Sequence, residues 1–183
     1  MNTELKHVLF EVSQKLNNLS IIYGVGASTM LKLRGIDISV HDIDIMVKDN
    51  QFMLAYNCLM TFCDEQIVEP SSLFKTTHFK RFSYKGIDID LMSGISIVHE
   101  SGIFKYSFDM AEKCLELEKI LVPICFMEDW FVFYHLMPNR VNTINLIKSY
   151  FLSHPVNKSR LLKIIDLSLP NELRQALLMY TDN

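Results

Sequence analysis

Four aspartates in two pairs, Asp42-Ile43-Asp44 and Asp88-Ile89-Asp90, are the side chains whose spacing points most directly to chemistry. Each pair sits in an apolar run, Asp42 to Val47 in one case and Ile87 to Met92 in the other. In an extended strand successive side chains alternate faces, so Asp42 and Asp44 share a side while Ile43, Ile45 and Val47 take the other. Two carboxylates roughly 7 Å apart on one strand raise each other's pKa, and a cation or a proton between them removes that penalty. A hard divalent cation, Mg2+ or Mn2+, accepts oxygen ligands and keeps positions open for phosphate. The plain alternative for each pair is a solvated strand face. With eleven Asp in the chain, roughly half to one such pair is expected by chance. A lone pair therefore carries little, and two pairs inside strand-like runs carry more.

Two different local frameworks have to hold these acids. Before Asp42 the chain reads as a short buried strand, Leu19 to Tyr23, then a turn through Gly24 and Gly26, then a helix bearing Met30, Leu31 and Leu33. Ser28 or Thr29 can cap that helix, and Gly35 fits a left-handed stop. Small residues at Gly26 and Ser28 let backbone N–H groups approach a triphosphate, with the helix N-terminus adding positive charge. Equally, the turn needs glycine for its backbone angles alone. The second pair belongs to a hairpin in which His78 to Tyr84 alternates, Lys85-Gly86 turns, and Ile87 to Met92 alternates again. Lys80, Arg81 and Lys85 on that hairpin could neutralise phosphate, but protection of an exposed sheet edge is the commoner role and the one favoured here.

An apolar strand, a turn of small residues opening a helix, an Asp-x-Asp pair on the next strand and a further acid on a later one resembles the nucleotidyltransferase superfamily, above all small bacterial members with a helical C-terminal half, toxin-like ones included. The residues that carry the likeness are Gly26-Ala27-Ser28, Asp42-Ile43-Asp44 and Asp88-Ile89-Asp90-Leu91-Met92. The resemblance implies catalytic and metal-binding roles for Asp42, Asp44 and Asp90, with Asp88 the other candidate for the third acid. It implies nucleotide binding at Gly26 and Ser28, Mg2+ or Mn2+ as cofactor, and an NTP, in the first place ATP, as substrate. The reaction implied is transfer of NMP to a hydroxyl or phosphate acceptor that the sequence does not identify. Family members usually have two adjacent small residues in the turn; here Ala27 stands between Gly26 and Ser28. The alternative on the same fold is a catalytically silent module that binds a nucleotide or a protein, including one half of a toxin and antitoxin pair.

The 183 residues, 49% hydrophobic and 21% charged, suffice for one domain with a smaller helical one packed on it. The net charge of −3 gives no general nucleic-acid surface and leaves room only for a local basic patch. No run approaches the roughly 18 apolar residues of a membrane span, and Glu4, Lys6 and Glu11 stand where a signal peptide is apolar, so a cytoplasmic protein is expected. Cys58, Cys63, Cys114 and Cys125 lack metal or redox spacing and read as reduced, buried thiols. No histidine pair has ligand spacing.

The remaining elements follow from periodicity. Thr3 to Asn18 is an amphipathic helix with Leu5, Val8, Leu9, Val12 and Leu16 on one face. Asn50 to Phe62 is another helix, Ile67-Val68 and Ile95 to Val98 are short strands, and Phe108 to Leu117 fits helix or strand. Pro123 marks a boundary, after which four helical segments follow: Glu128 to Met137, Asn139 to Leu152, Asn157 to Leu167 and Pro170 to Tyr180. The expectation is an α+β protein with a mixed sheet flanked by helices in residues 1–122 and a helical bundle in residues 123–183. Glu128-Asp129 matches an acid that family members carry at the start of the first C-terminal helix. The basic and acidic cluster that family members carry near the next helix is reduced to Arg140. Trp130, Phe131, Phe133 and Tyr134 form an aromatic group suited to core packing or, less commonly, to base stacking.

Overall fold

A computed structural model describes residues 1–181. They form two compact units, the first made of Met1–Pro70, Thr76–Gly94 and Ser107–Cys125, the second of Ser71–Lys75, Ile95–Tyr106 and the described residues from Phe126 onward. Among the described residues no helix is long and apolar enough to cross a membrane.

The first unit opens with α1 (Thr3–Asn18), capped by the Asn2 side chain, which accepts a hydrogen bond from the Leu5 N–H at 2.8 Å. Its periodic face, Leu5, Val8, Leu9, Val12 and Leu16, is buried as the spacing predicts. The chain continues through β1 (Tyr23–Val25), α2 (Ala27–Leu33) and β2 (Asp42–Val47). A short 3-10 turn at Asp49–Gln51 leads into α3 (Phe52–Leu59), so the helix expected from Asn50 begins with a tighter turn and no side-chain cap. Then come β3 (Asp64–Gln66), β4 (His78–Tyr84) and β5 (Ile87–Ser93). The strand expected at Ile67-Val68 lies instead on the three polar residues before it, because pairing with β4 decides it, not hydrophobicity.

These strands and β8 (Lys113–Leu117) and β9 (Ile120–Ile124) make a mixed seven-stranded sheet in the order β3-β4-β5-β2-β1-β9-β8. The aspartate-bearing β2 is its middle strand. It runs antiparallel to β1 and parallel to β5, while β4 and β5 are the predicted hairpin. Lys85 and Gly86 both have positive φ, 51° and 74°, as a two-residue hairpin turn requires. Ile43, Ile45, Phe82, Ile89 and Leu91 are fully buried on one face of the adjacent strands β4, β5 and β2. Pro123, expected as a boundary, lies inside β9. A proline is tolerated there because β9 meets β1 only beyond it, at Val25↔Ile124. Cys58, Cys63 and Cys125 are buried, whereas Cys114 on β8 is exposed.

The second unit contains the hairpin β6 (Ile95–His99) and β7 (Gly102–Tyr106) with α4 (Met127–Leu136), α5 (Val141–Phe151), α6 (Lys158–Ile165) and α7 (Asn171–Leu178). The strand β7 had no clear period in sequence and is fixed by pairing with β6. Trp130, Phe131, Phe133 and Tyr134 are all buried: Trp130 packs edge-on or tilted against Phe133 and Tyr134, Phe133 edge-on against Phe104 and Tyr106, and Phe131 edge-on against His135 and Phe151, which settles the aromatic group as core.

At the centre of this unit Arg160 donates from Nε to Asp129 Oδ1 and from a terminal nitrogen to Oδ2, both at 2.7 Å. The Tyr106 hydroxyl donates to Asp129 Oδ2 at 2.5 Å. All three side chains are buried, so breaking the pair leaves an uncompensated charge away from water. Arg160→Met is therefore expected to cost about 3–5 kcal/mol, read as a fall in the thermal or denaturant midpoint of the helical unit. A second test uses His135, whose imidazole is pushed down from 6.5 to about 4 by burial and by the Lys148 ammonium. The unfolded chain takes up that proton near 6.5 and the folded unit does not, so stability falls as pH drops from 6.5 towards about 4. His135→Gln should flatten the melting profile across that window.

Candidate functional site

The site grows out of backbone pairing. Five residues of β2 face five of β5 in parallel register, from Asp42↔Asp88 through Asp44↔Asp90 to Met46↔Met92. Partners in a ladder project to the same side, and neighbouring strands lie ~4.8 Å apart. All four aspartates thus stand on one face, opposite the buried Ile43, Ile45, Ile89 and Leu91. Asp90 is buried, Asp42 and Asp44 are half-buried and Asp88 is exposed. Asp44 and Asp90 are direct ladder partners.

A guanidinium lies among these acids. Arg81 on β4 is the antiparallel partner of Asp90, and its guanidinium grips the carboxylate with both prongs, Nε to Oδ1 and a terminal nitrogen to Oδ2, each 2.7 Å. Such a fork is among the stronger polar contacts a protein makes. Asp90 holds the Arg81 guanidinium in its charged form, with Asp88 and Asp42 adding to the effect. The expectation that Lys80, Arg81 and Lys85 guard a sheet edge does not hold, because β3 covers the outer side of β4. Lys80 reaches Glu65 on β3 at 2.5 Å, and Lys85 reaches Glu11 on α1 at 2.8 Å.

The charge balance is incomplete at Asp42. Burial, and then the negative charge of Asp90, push its carboxyl above the ordinary 3.8, with Arg81 pulling the other way. A cation beside Asp42 and Asp44 relieves that cost, so these two oxygen donors suit a hard divalent ion. Both oxygens of Asp90 already accept hydrogen bonds from Arg81. Among the described residues no group of three or more His, Cys, Asp or Glu side chains is gathered to hold a metal ion.

The turn before α2 is tied to the same strand. The Gly26 N–H donates to the Asp44 carbonyl at 2.9 Å, and the Thr29 hydroxyl donates to the Asp42 carbonyl at 2.8 Å. Gly26 is the N-cap of α2 and no side chain caps it, so neither Ser28 nor Thr29 plays the capping part expected of them. The helix starts earlier, at Ala27, and Thr29 spends its hydroxyl on β2. Ala27 itself has φ +44°, in the left-handed region where a side chain costs roughly 1–2 kcal/mol. The turn between Gly26 and Ser28 is thus strained at the one residue that is not glycine where a glycine would fit. Of Glu128 and Asp129, matched together to an acid at the start of the first C-terminal helix, Asp129 is bonded to Arg160 and Tyr106, and Glu128 accepts from the Asn157 N–H at 2.6 Å. Arg140 stacks over the Tyr134 ring at 5.8 Å.

Sequence reasoning missed Arg81 as a partner of Asp90 and Thr29 as the link to β2. The first was within reach, since a hairpin closed by Lys85-Gly86 sets Arg81 opposite Asp90 by counting outward from the turn. The second depends on how α2 lies against the sheet, which no local pattern encodes.

No family model and no curated protein matches the chain. Solved structures do. A Thermotoga maritima protein assigned to the nucleotidyltransferases superposes with a TM-score of 0.61 at 19% identity, covering 84% of this chain and 96% of its own. The lincomycin-bound lincosamide antibiotic adenylyltransferase LnuA gives 0.53 at 13% identity over 80% of this chain and 97% of its own. ANT(2")-Ia in complex with adenylyl-2"-tobramycin gives 0.57 at 10% identity over 97% and 98%. At these identities the likeness establishes the fold: the chain has the α+β nucleotidyltransferase fold, a mixed sheet flanked by helices and followed by further helices.

The uncompensated acid at Asp42 has a direct consequence for stability. Because its folded pKa is raised, the fold bears a cost that appears as pH climbs through and above 3.8 and vanishes at lower pH. Asp42→Asn should therefore melt at a higher temperature than the natural chain at pH 7 in chelator, and the gap should close towards pH 3.

Proposed function

We propose that this chain is a divalent-cation-dependent nucleotidyltransferase that moves NMP, in the first place AMP from ATP, to a hydroxyl or phosphate acceptor with loss of pyrophosphate. The observation that carries the reading is the ladder that sets Asp44 beside Asp90 with Asp42 on the same face. The names of two structural neighbours, an adenylyltransferase with lincomycin bound and a protein holding adenylyl-tobramycin, support ATP as the donor.

In this reading Asp42 and Asp44 hold the ion, which when bound neutralises the triphosphate and polarises the phosphorus under attack. Ser28 offers its backbone N–H to the phosphates, and Gly26 supports it by tying the turn to β2 through its own N–H, which is bonded to the Asp44 carbonyl. Asp90 completes the carboxylate cluster from the neighbouring strand, with Arg81 setting its orientation. The acceptor oxygen bonds to the α-phosphorus, the bond to the pyrophosphate oxygen breaks, and the acceptor's proton passes to a carboxylate of the cluster. Little covalent chemistry falls to the protein, so the acceleration comes from positioning and charge.

A silent nucleotide-binding module on the same fold is the second reading, and the engagement of both Asp90 oxygens by Arg81 favours it. Calorimetry with ATP and Mg2+ alongside a pyrophosphate assay separates the two, because binding without release belongs to the module. For the enzyme, Asp44→Asn should keep its far-UV circular dichroism and lose metal-dependent pyrophosphate release by about 100-fold or more. Unchanged turnover in that variant removes the proposed role of the acid pair.

A further inference from the structure

We propose that the acceptor enters over the outer strands of the sheet, where a hollow beside β3 and β4 receives it as a small, uncharged hydroxyl compound with an apolar ring. The inference rests on the nucleotidyltransferase reading above and names the side of approach and the class of acceptor. Register sets the hollow in line with the acids. Gln66 pairs with Arg81, Arg81 with Asp90 and Asp90 with Asp44, so one row crosses four strands on the face that carries the carboxylates. Phe79, two residues before Arg81, stands on that face as the ladder partner of Met92. Gln66, Val68, Phe79 and Arg81 are among the residues lining a hollow of about 430 Å³. Small-molecule sites occupy ~300–1,000 Å³, so the space suits one such molecule.

The side of approach follows from the chemistry of phosphorus. Attacking and leaving oxygens lie roughly in line across the phosphorus under attack. In the reading above the phosphates rest at Ser28, in the turn after β1 that the Gly26 N–H ties to β2. Pyrophosphate then departs over β1, and the acceptor oxygen arrives from the other side of β2, over β5, β4 and β3. Since β3 lies two strands beyond β5, or ~10 Å, a small molecule seated there reaches the acids with its hydroxyl. That oxygen bonds to the α-phosphorus, the bond to the pyrophosphate oxygen breaks, and the hydroxyl proton passes to a carboxylate of the cluster. The lining sets the class. Val68 and Phe79 are apolar, and Gln66 presents an uncharged amide. The two cations each meet an acid, Lys80 reaching Glu65 at 2.5 Å and Arg81 gripping Asp90. Charge paired in this way suits an uncharged body better than a polycation or a phosphodiester chain.

The test measures metal-dependent pyrophosphate release from ATP by the full chain with each of three acceptors. They are 4-nitrophenyl β-glucoside, which is uncharged and aromatic, the polycation tobramycin, and a short single-stranded RNA with a free 3′-hydroxyl. Release is expected to rise with the glucoside alone. Phe79→Ala and Val68→Asp should each raise the KM for the glucoside by about 10-fold and leave the Kd for ATP, read by calorimetry, unchanged. If Phe79→Ala loses its far-UV circular dichroism, Val68→Asp, at a position 39% exposed, carries the comparison. Release that the glucoside does not raise, a KM that neither variant moves, or weakened ATP binding in Phe79→Ala overturns the inference and leaves the enzymatic reading standing. A rise with tobramycin or the RNA in its place does the same. No pyrophosphate release with any acceptor overturns both.

Discussion

Everything chemical in this molecule depends on the parallel register between β2 and β5. The two strands are separated in sequence by α3, β3 and β4, yet five consecutive backbone pairs lock them. A slip of one residue would send Asp90 to the isoleucine face and bring Ile89 or Leu91 among the acids. That slip is opposed from the other side of the sheet, where Ile43, Ile45, Ile89 and Leu91 are completely buried. The apolar face thus enforces the arrangement of the polar one. Strands that alternate Asp with Ile or Leu do both jobs with the same six or seven residues.

Two ion pairs of the chain show how context divides structural from chemical charge. Asp129 and Arg160 lie 1% and 6% exposed, with Tyr106 supplying a further hydrogen bond. That acid is fully matched and belongs to the core of the helical unit. Arg81 and Asp90 make the same fork, but Arg81 is one cation facing Asp42 and Asp88 as well. Three acids within reach of one arginine leave negative charge over, and the excess is registered at Asp42. Unbalanced, half-buried charge of this kind is costly to the fold and useful to a ligand. Strain in the neighbouring turn points the same way, since Ala27 adopts a glycine-like φ of +44° between Gly26 and Ser28.

Much of the framework was legible from local pattern. The hairpin of β4 and β5 was marked by alternation and by Lys85-Gly86, α1 by its apolar face, and the four C-terminal helices by proline punctuation. The elements that were not legible share a cause. β3 is a polar triplet, β7 has no clear period, and β9 contains a proline; each is a strand because a partner strand is present. Their own residues are poor evidence for any state, and pairing supplies what propensity does not. Lys80, Arg81 and Lys85 looked alike as basic residues on one hairpin, and only the neighbours of each told them apart.

The sequence by itself determined which side chains could do chemistry and on which strand each lies, because a period of two and a glycine turn are properties of the local backbone. Asp42 shares a side with Asp44, and Asp88 with Asp90, in any structure that keeps those strands extended. Tertiary structure alone decided that the two pairs face one another, that Asp44 is the ladder partner of Asp90, and that Thr29 fastens α2 to β2. Register between strands far apart in the chain is set by the burial of the opposite face and by which edges are free to pair. Those are collective quantities, and no window of sequence contains them.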